Sequence, residues 1–499
     1  MKTSLGQALL AVVLAASGAS GLNADGWRSQ SIYQVLTDRF ARTDGSTTAG
    51  CNLGSYCGGT YRGLINKLDY IQGMGFTAVW ISPIVKNIAG NTPYGDPYHG
   101  YWAQDIWSLN SNFGSEADLQ DLSKALHDRG MYLMVDVVTN HMAYNGCRNC
   151  VNYGIYNSEF ASKDRFHQPP CAVDFNSNTP QLLTCWSGDD KVSLPDLKTE
   201  DSYVRSVFND WIKKTVAKYS IDGLRIDSAR SVEKSFFPGF GQAAGVYMVG
   251  EVFDGNPTNL AAWTGSIDGV LNYAAYYWIR RAFASDTATV NELISEANSF
   301  RNQMDTSKLG TFIENHDNPR YPTVTSDSGR IKTAIAYTIL SDGIPIIYQG
   351  QEQGFSGKED PGNREALWPS GYNTASDNYN LIAKVNQIRN QAVYADRTGY
   401  LNYRATAFKI NDWALGLRKG QAGAQVVGVF SNMGNTGTAY TVTLQGADTG
   451  FTSGQKVVEV MGCGVITADG AGSVAVQVTA GPRVLYPHAR LVGSGICGL

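Results

Sequence analysis

The sequence predicts an α/β chain: a (β/α)8 TIM barrel with a subdomain inserted after strand 3 and a C-terminal antiparallel β-sandwich domain. Three observations carry this. Eight β-rich runs alternate with helix-like stretches, the pattern of parallel strands joined by crossover helices. The connection after the third run is far longer than an ordinary strand-to-helix loop. Beyond about residue 400, short alternating runs are split by Gly-rich turns.

The eight runs are 31–38, 77–83, 132–138, 223–229, 246–252, 267–273, 309–317 and 343–350. Several are continuously apolar, as strands covered by helices on both faces must be. Residues 114–130 and 202–219 read as helices between them. The long connection extends from 139 to 222, holds four Cys and is rich in Asn, Ser and Pro before Asp201. Its 141–197 portion reads as a disulfide-stapled subdomain over the barrel mouth. The C-terminal runs are 424–430, 440–444, 456–460 and 473–478. The expected organisation is a signal peptide at 1–21, a barrel at 22–399 interrupted by 141–197, and a β domain at 400–499.

The 499 residues include 40 Lys+Arg and 44 Asp+Glu, a net charge of −4, with 17% charged, 43% hydrophobic and 11% aromatic residues. So much apolar and aromatic surface excludes a disordered chain. The 54 Gly follow no strict period, which excludes a collagenous one. No basic excess or basic run exists to neutralise phosphates, so no nucleic-acid partner is expected. The charged fraction lies below the roughly 25% of typical domains, a weak pointer to a neutral polar ligand. Lys2, the apolar run 9–16 and the small residues 17–20 form a secretory signal, with cleavage expected between Ala19 and Ala24. Eight apolar residues are too few for a membrane span, which needs roughly 20. A secreted protein without a membrane partner is therefore expected, with a monomer as the default.

Eight cysteines in such a chain point to disulfides. Local grouping favours 51–57, 147–150, 171–185 and 463–497 among about 105 possible pairings. Cys147 and Cys150 form a CxxC, open to a redox or metal role. The oxidising context and the absence of a second CxxC favour a loop staple. The only N-glycosylation candidate, Asn256-Pro-Thr, is blocked by its proline.

Barrel enzymes carry their chemistry at the C-terminal strand ends. Strand three ends in Asp136-Val-Val-Thr-Asn140-His141, strand four in Arg225-Ile-Asp227, strand five in Glu251, and strand seven in Glu314-Asn-His316-Asp317. Three carboxylates thus converge on one mouth, as glycoside hydrolysis requires. Arg225 shares a strand face with Asp227 and holds it ionised. Glu251 lies among apolar neighbours that raise its pKa, as an acid catalyst needs. A metal-hydrolase reading would use His141 and His316, but no HxH or HExxH spacing supports it.

Five segments carry a family resemblance: 95–102 (GDPYHGYW), 136–141 (DVVTNH), 223–230 (GLRIDSAR), 250–252 (GEV) and 314–320 (ENHDNPR). They resemble the signature regions of the α-amylases of glycoside hydrolase family 13, the secreted fungal type above all. The likeness runs from Trp27 to the C-terminus. It implies endo-acting cleavage of α-1,4-glucosidic bonds in starch, glycogen and malto-oligosaccharides with retention. It further implies Asp227 as nucleophile, Glu251 as general acid/base and Asp317 as the carboxylate holding the distorted sugar. His99, Tyr101, His141, Arg225 and His316 match groups around the cleavage point. Asp360 and Arg364 match a pair on the non-reducing side, and Arg230 and Gly255 match residues on the reducing side. Trp102 and Tyr94 are placed to stack on glucose or simply to pack.

The resemblance also implies a structural Ca2+ between barrel and insert, with Asn140, Asp196 and the Ser231 carbonyl matching three ligands. The usual fourth, a Glu, is replaced by Leu183, which leaves Thr184, Asp174 or water as substitutes. Ser231 stands where the family often has His, and the 51–57 loop is two residues shorter and lacks a Gln. These departures bear on product pattern. A 4-α-glucanotransferase on the same site and an inactive glucan-binding protein are the competing readings; the intact acidic trio argues against the latter.

Overall fold

The computed structural model describes residues 22–175 and 180–499. The expected signal peptide at 1–21 lies outside the described residues. All eight barrel strands form: β1 Ile32–Val35, β2 Ala78–Ile81, β3 Tyr132–Val138, β4 Gly223–Asp227, β5 Tyr247–Gly250, β6 Gly269–Val270, β7 Gly310–Thr311 and β8 Ile344–Tyr348. They pair in parallel in the order β6-β5-β4-β3-β2-β1-β8-β7. A parallel bridge between Leu271 and Gly310, with the Asn272 N–H donating to the Gly310 carbonyl, brings the two ends together.

Strand alternation explains both the core and the site. Ile32, Trp80, Met134, Val249 and Ile346 share one apolar cluster, while Tyr33, Val79, Val135, Leu224 and Ile347 join a second, larger cluster. Period-two alternation then puts Asp136 on the face of Met134, and Glu251 on the face of Val249. Arg225 and Asp227 occupy the face opposite Leu224 and Ile226.

Local chemistry sets the element ends. The helix Glu116–His127 opens on a capping box between Ser115 and Asp118. The helix Ser202–Tyr219 opens on the Asp201 carboxylate and stops where Ser220 turns left-handed, at φ 50°. Every strand but β3 ends earlier than the sequence suggests, and three of these ends have a local cause. Beyond β6, Asn272 caps the helix Tyr273–Ala282. Beyond β7, the Asn315 side chain accepts from the N–H groups of Asp317 and Asn318 and folds the chain into a turn. Beyond β4, Ser228 turns left-handed at φ 48°.

Between β3 and β4 the chain makes short 3-10 turns and the small hairpin Ser187–Gly188/Ser193–Leu194. The bridge His141–Asp196 ties its two ends together, and Phe166–Leu197 joins its middle to the second of them. All four locally grouped disulfides are present, so Cys147–Cys150 is a staple and no cysteine is free. Between β2 and β3 a second excursion carries residues 95–102 on the hairpin Val85–Asn87/Ala103–Leu109.

The C-terminal part is an antiparallel six-stranded sheet, from Thr406–Asn411 to Gly464–Thr467, with the pair Tyr440–Leu444/Val474–Val478 apart from it. Val427, Val429, Leu444, Val457, Val476 and Leu485 form its core. The helix Arg397–Asn402 spans the expected boundary at 400. A buried Lys419–Asp342 ion pair joins sheet to barrel. Among the described residues no helix is long and apolar enough to cross a membrane.

Candidate active site

Arg225, on β4, is fully buried and organises the barrel mouth. Its Nη1 donates to both carboxylate oxygens of Asp136 at 3.0 Å and to Asp227 Oδ1 at 2.8 Å. Its Nη2 lies 3.0 Å from Glu251 Oε2. One guanidinium thus faces three carboxylates from three consecutive strands. Arg suits this role because its planar fork stays charged even when buried. Burial pushes the Asp136 carboxyl up to about 7 against the pull of Arg225. Asp136 also accepts from the Tyr101 hydroxyl at 2.8 Å and from the Trp80 indole at 3.3 Å.

Ser228 couples Asp227 and Glu251. Its left-handed turn directs the backbone N–H to Glu251 Oε2 at 2.9 Å, while its hydroxyl donates to Asp227 Oδ2 at 2.9 Å. Asp227 therefore accepts on both oxygens from fixed donors, which orient it. Glu251 differs. Burial, with Asp227 and Asp317 nearby, raises its pKa to about 8, against the opposing pull of Arg225. Two neighbouring carboxyls with different environments are the arrangement an acid and a nucleophile need.

Asp317 is the more open member of the trio, its side chain 30% exposed. Arg364 Nη2 donates to its Oδ1 at 3.4 Å, and His316 Nε2 is 3.1 Å from its Oδ2. Burial holds His316 well below the usual histidine pKa, so the ring is neutral. Nδ1 faces the Gln34 amide nitrogen at 2.7 Å and accepts from it, which puts the one ring proton on Nε2, toward Asp317. His99 and His141 are likewise held neutral by burial. The Tyr101 ring lies parallel to His316, with centroids 5.2 Å apart, and to His99 at 5.7 Å. His141 Nε2 donates to the Tyr101 carbonyl at 3.2 Å. Arg364 pairs with Asp360 at 3.2 Å and donates from Nε to the His316 carbonyl.

A cavity of about 740 Å³ opens beside Glu251, lined among others by Phe175, Ser231, Phe253, Gly255 and Tyr277. Arg230 donates to the Phe175 and Phe253 carbonyls, joining the insert to the loop after β5. A Cβ on Gly255 would meet the Tyr277 ring at 2.7 Å, so glycine keeps this wall open. Trp102 meets His99 edge-on at 4.5 Å and packs on the patch of Ile88, Ala143 and Val192. Tyr94 is half exposed, with its hydroxyl on Asp189. Sequence reasoning missed Asp136, Ser228 and Gln34 as site residues. Asp136 stood two positions before Val138 on the strand face that alternation turns inward, a signal within reach. Ser228 became visible only through its backbone.

Asn140 and Asp196 are buried, and the Leu197 N–H donates to the Asn140 carbonyl, which holds their segments side by side. Asp196 Oδ2 accepts from His167 Nδ1 at 2.7 Å, while Oδ1 is buried without a hydrogen-bond partner. Ser231 ends the 3-10 turn Ala229–Ser231, against which the Pro180–Leu183 turn packs. Among the described residues no group of three His, Cys, Asp or Glu is placed to hold a metal.

Residues 34–411 match the model of the α-amylase catalytic domain, and 407–499 match α-amylase domain C. The chain belongs to the α-amylase family. It is 49% identical over 490 residues to α-amylase 2 of Schwanniomyces occidentalis, covering 97% of this chain and 95% of that one. It is 49% identical over 478 residues to the α-amylase of Saccharomycopsis fibuligera, covering 95% and 94%. The solved α-amylase of Malbranchea cinnamomea superposes with a TM-score of 0.91 at 46% identity, covering 95% of this chain and all of that one. The chain is accordingly an α-amylase-type glycoside hydrolase, and its barrel and C-terminal sheet are those of the family.

Proposed function

We propose that the enzyme hydrolyses internal α-1,4-glucosidic bonds of starch, glycogen and malto-oligosaccharides with retention. The observation that carries this is the pairing of Asp227, oriented on both oxygens, with a Glu251 that burial keeps protonated at neutral pH. In this reading Glu251 gives its proton to the glycosidic oxygen as Asp227 attacks the anomeric carbon. The leaving chain departs and a covalent glucosyl ester forms on Asp227. Glu251, now ionised, takes a proton from water, which attacks the ester from the opposite face and restores the original anomeric configuration. Asp317, with His316 and Arg364, binds the ring hydroxyls and favours the distorted, oxocarbenium-like sugar. His99, Tyr101 and His141 complete the pocket, Asp360 serves the non-reducing side, and Arg230 and Gly255 serve the reducing side.

Soluble starch should release reducing ends rapidly, and maltopentaose should yield only shorter products. Products longer than maltopentaose as the main outcome would make the enzyme a 4-α-glucanotransferase instead. Absence of any cleavage would leave a glucan-binding protein.

Secretion belongs to the same reading, supported by the N-terminal signal pattern and by four disulfides. So does calcium. The unpartnered Asp196 oxygen and the adjacent Asn140 offer hard oxygen donors that fit Ca2+, with the Ser231 carbonyl as a third. The ion would brace barrel and insert and take no part in proton transfer. Leu183 in place of a carboxylate lowers the charge of the donor set, so binding is weak by the standards of such sites. Chelation should lower the melting temperature, by the equivalent of about 2.7 kcal/mol where free Ca2+ had stood at a hundred times Kd. A melting temperature and activity both unmoved by chelator would remove the calcium assignment.

A further inference from the structure

Arg225 has a counterpart at the rim of β1. Arg39 lies in the short helical turn Thr37–Phe40 and is fully buried. Its Nε is 3.0 Å from Oδ2 of Asp38, which is buried too. Its Nη2 donates to the Leu53 and Ser55 carbonyls, both at 2.8 Å. Its Nη1 donates to the Cys51 sulfur at 3.1 Å and to the Arg364 carbonyl at 3.4 Å. The guanidinium carbon sits 3.7 Å from the centroid of the Tyr98 ring. The Arg39 carbonyl accepts from the Leu367 N–H at 2.7 Å.

Packing alone does not call for a guanidinium here, since apolar replacements of buried ion pairs are often neutral or stabilising. What Arg39 supplies is geometry: its planar fork meets two carbonyls of one loop and one of another in fixed directions. Asp38 completes the grip by accepting from the N–H groups of Cys57 and Gly58, at 2.8 and 3.0 Å. The 51–57 loop in turn holds Asp96. The Tyr56 N–H donates to Asp96 Oδ2 at 3.1 Å, and the Asp96 N–H donates to the Gly54 carbonyl at 2.8 Å. The Tyr98 hydroxyl donates to Asp360 Oδ1 at 3.4 Å. Three segments distant in sequence, 51–57, 96–98 and 360–367, therefore lean on one side chain.

We propose that Arg39 is a positioning residue for the non-reducing side of the cleft, holding the 51–57 loop, Tyr98 and the Asp360–Arg364 pair as one wall. Its contacts reach none of Asp227, Glu251 and Asp317. The catalytic end is anchored separately, by Arg225 and the Tyr101 hydroxyl, which meet on Asp136. Loosening the wall therefore weakens the grip on the glucan's non-reducing side and leaves bond breaking alone. Productive complexes with fewer sugars on that side gain by comparison, so cleavage moves toward the non-reducing end. The assignment rests on the glucan-hydrolase reading above.

The test compares wild type with Arg39→Lys and Tyr98→Phe on maltopentaose labelled at its reducing end. Lysine keeps a cation beside Asp38 but cannot reach all three carbonyls. In Arg39→Lys, KM should rise about 5- to 10-fold with kcat within about twofold, and the ratio of labelled maltotriose to labelled maltose should rise about threefold. Tyr98→Phe loses only the hydroxyl tie to Asp360 and should move KM and the ratio the same way by about twofold. A merely structural role would lower kcat through a smaller active fraction and leave KM and the product ratio unmoved; that pattern would overturn the proposal. Wild-type KM and product ratio in both variants would overturn it too. Should Arg39→Lys fail to fold, Tyr98→Phe decides alone. Wild-type conversion of maltopentaose to shorter products reads the hydrolase assignment independently of both variants.

Discussion

Asp227→Asn is expected to lower kcat/KM on maltopentaose by at least about 10⁴-fold, roughly 5.4 kcal/mol of lost transition-state stabilisation. The amide keeps the shape and the acceptor oxygen that Arg225 bonds at 2.8 Å, but it cannot form the glucosyl ester. Stability should change little. Arg225 keeps Asp136 at 3.0 Å and Glu251 at 3.0 Å, so its buried charge stays neutralised. The melting temperature should stay within about 2 °C of wild type. Activity near the wild-type level in a folded Asp227→Asn variant would defeat the mechanism.

Glu251→Gln should lose about 10²–10⁴-fold on maltopentaose, the range that a general acid supplies. The loss should shrink strongly for α-maltosyl fluoride, whose leaving group needs no proton. That contrast separates a proton donor from a residue that merely shapes the pocket. The pH profile follows from the same group. Burial raises the Glu251 pKa to about 8, so the acid form is present below that pH and disappears as pH rises through it. Wild-type kcat/KM should therefore fall on the alkaline side near pH 8, and that limb should be absent from the residual activity of Glu251→Gln. An alkaline limb that survives in the variant would assign it to another group.

The barrel was legible because strands covered on both faces have to be continuously apolar, with helix-like stretches such as 202–219 between them. Strand ends were less legible where a polar side chain captures the backbone, as Asn272 and Asn315 do. The first two strands of the C-terminal sheet escaped notice for a related reason. Thr406–Asn411 lies at the sheet edge and is mostly only half-buried, so Lys409 and Asn411 break its apolar pattern. Gly416, opposite, is small because the Phe408 ring covers it. In the site, the acids and Arg225 were readable from strand position and residue type. The contribution of Ser228 was not, since it depends on a positive φ that no residue type announces. Asp136 lay between these cases: alternation aims it inward, but only the folded structure reveals that Arg225 divides itself between Asp136, Asp227 and Glu251.

Double displacement through an ester on Asp227 fixes the configuration of the first product. Proton NMR of maltopentaose, followed from the first minute of digestion, should show the α-anomer of the newly formed reducing end first, with the β-anomer growing in only by mutarotation. A β-anomer appearing first would mean direct displacement by water and would contradict Asp227 as a covalent nucleophile.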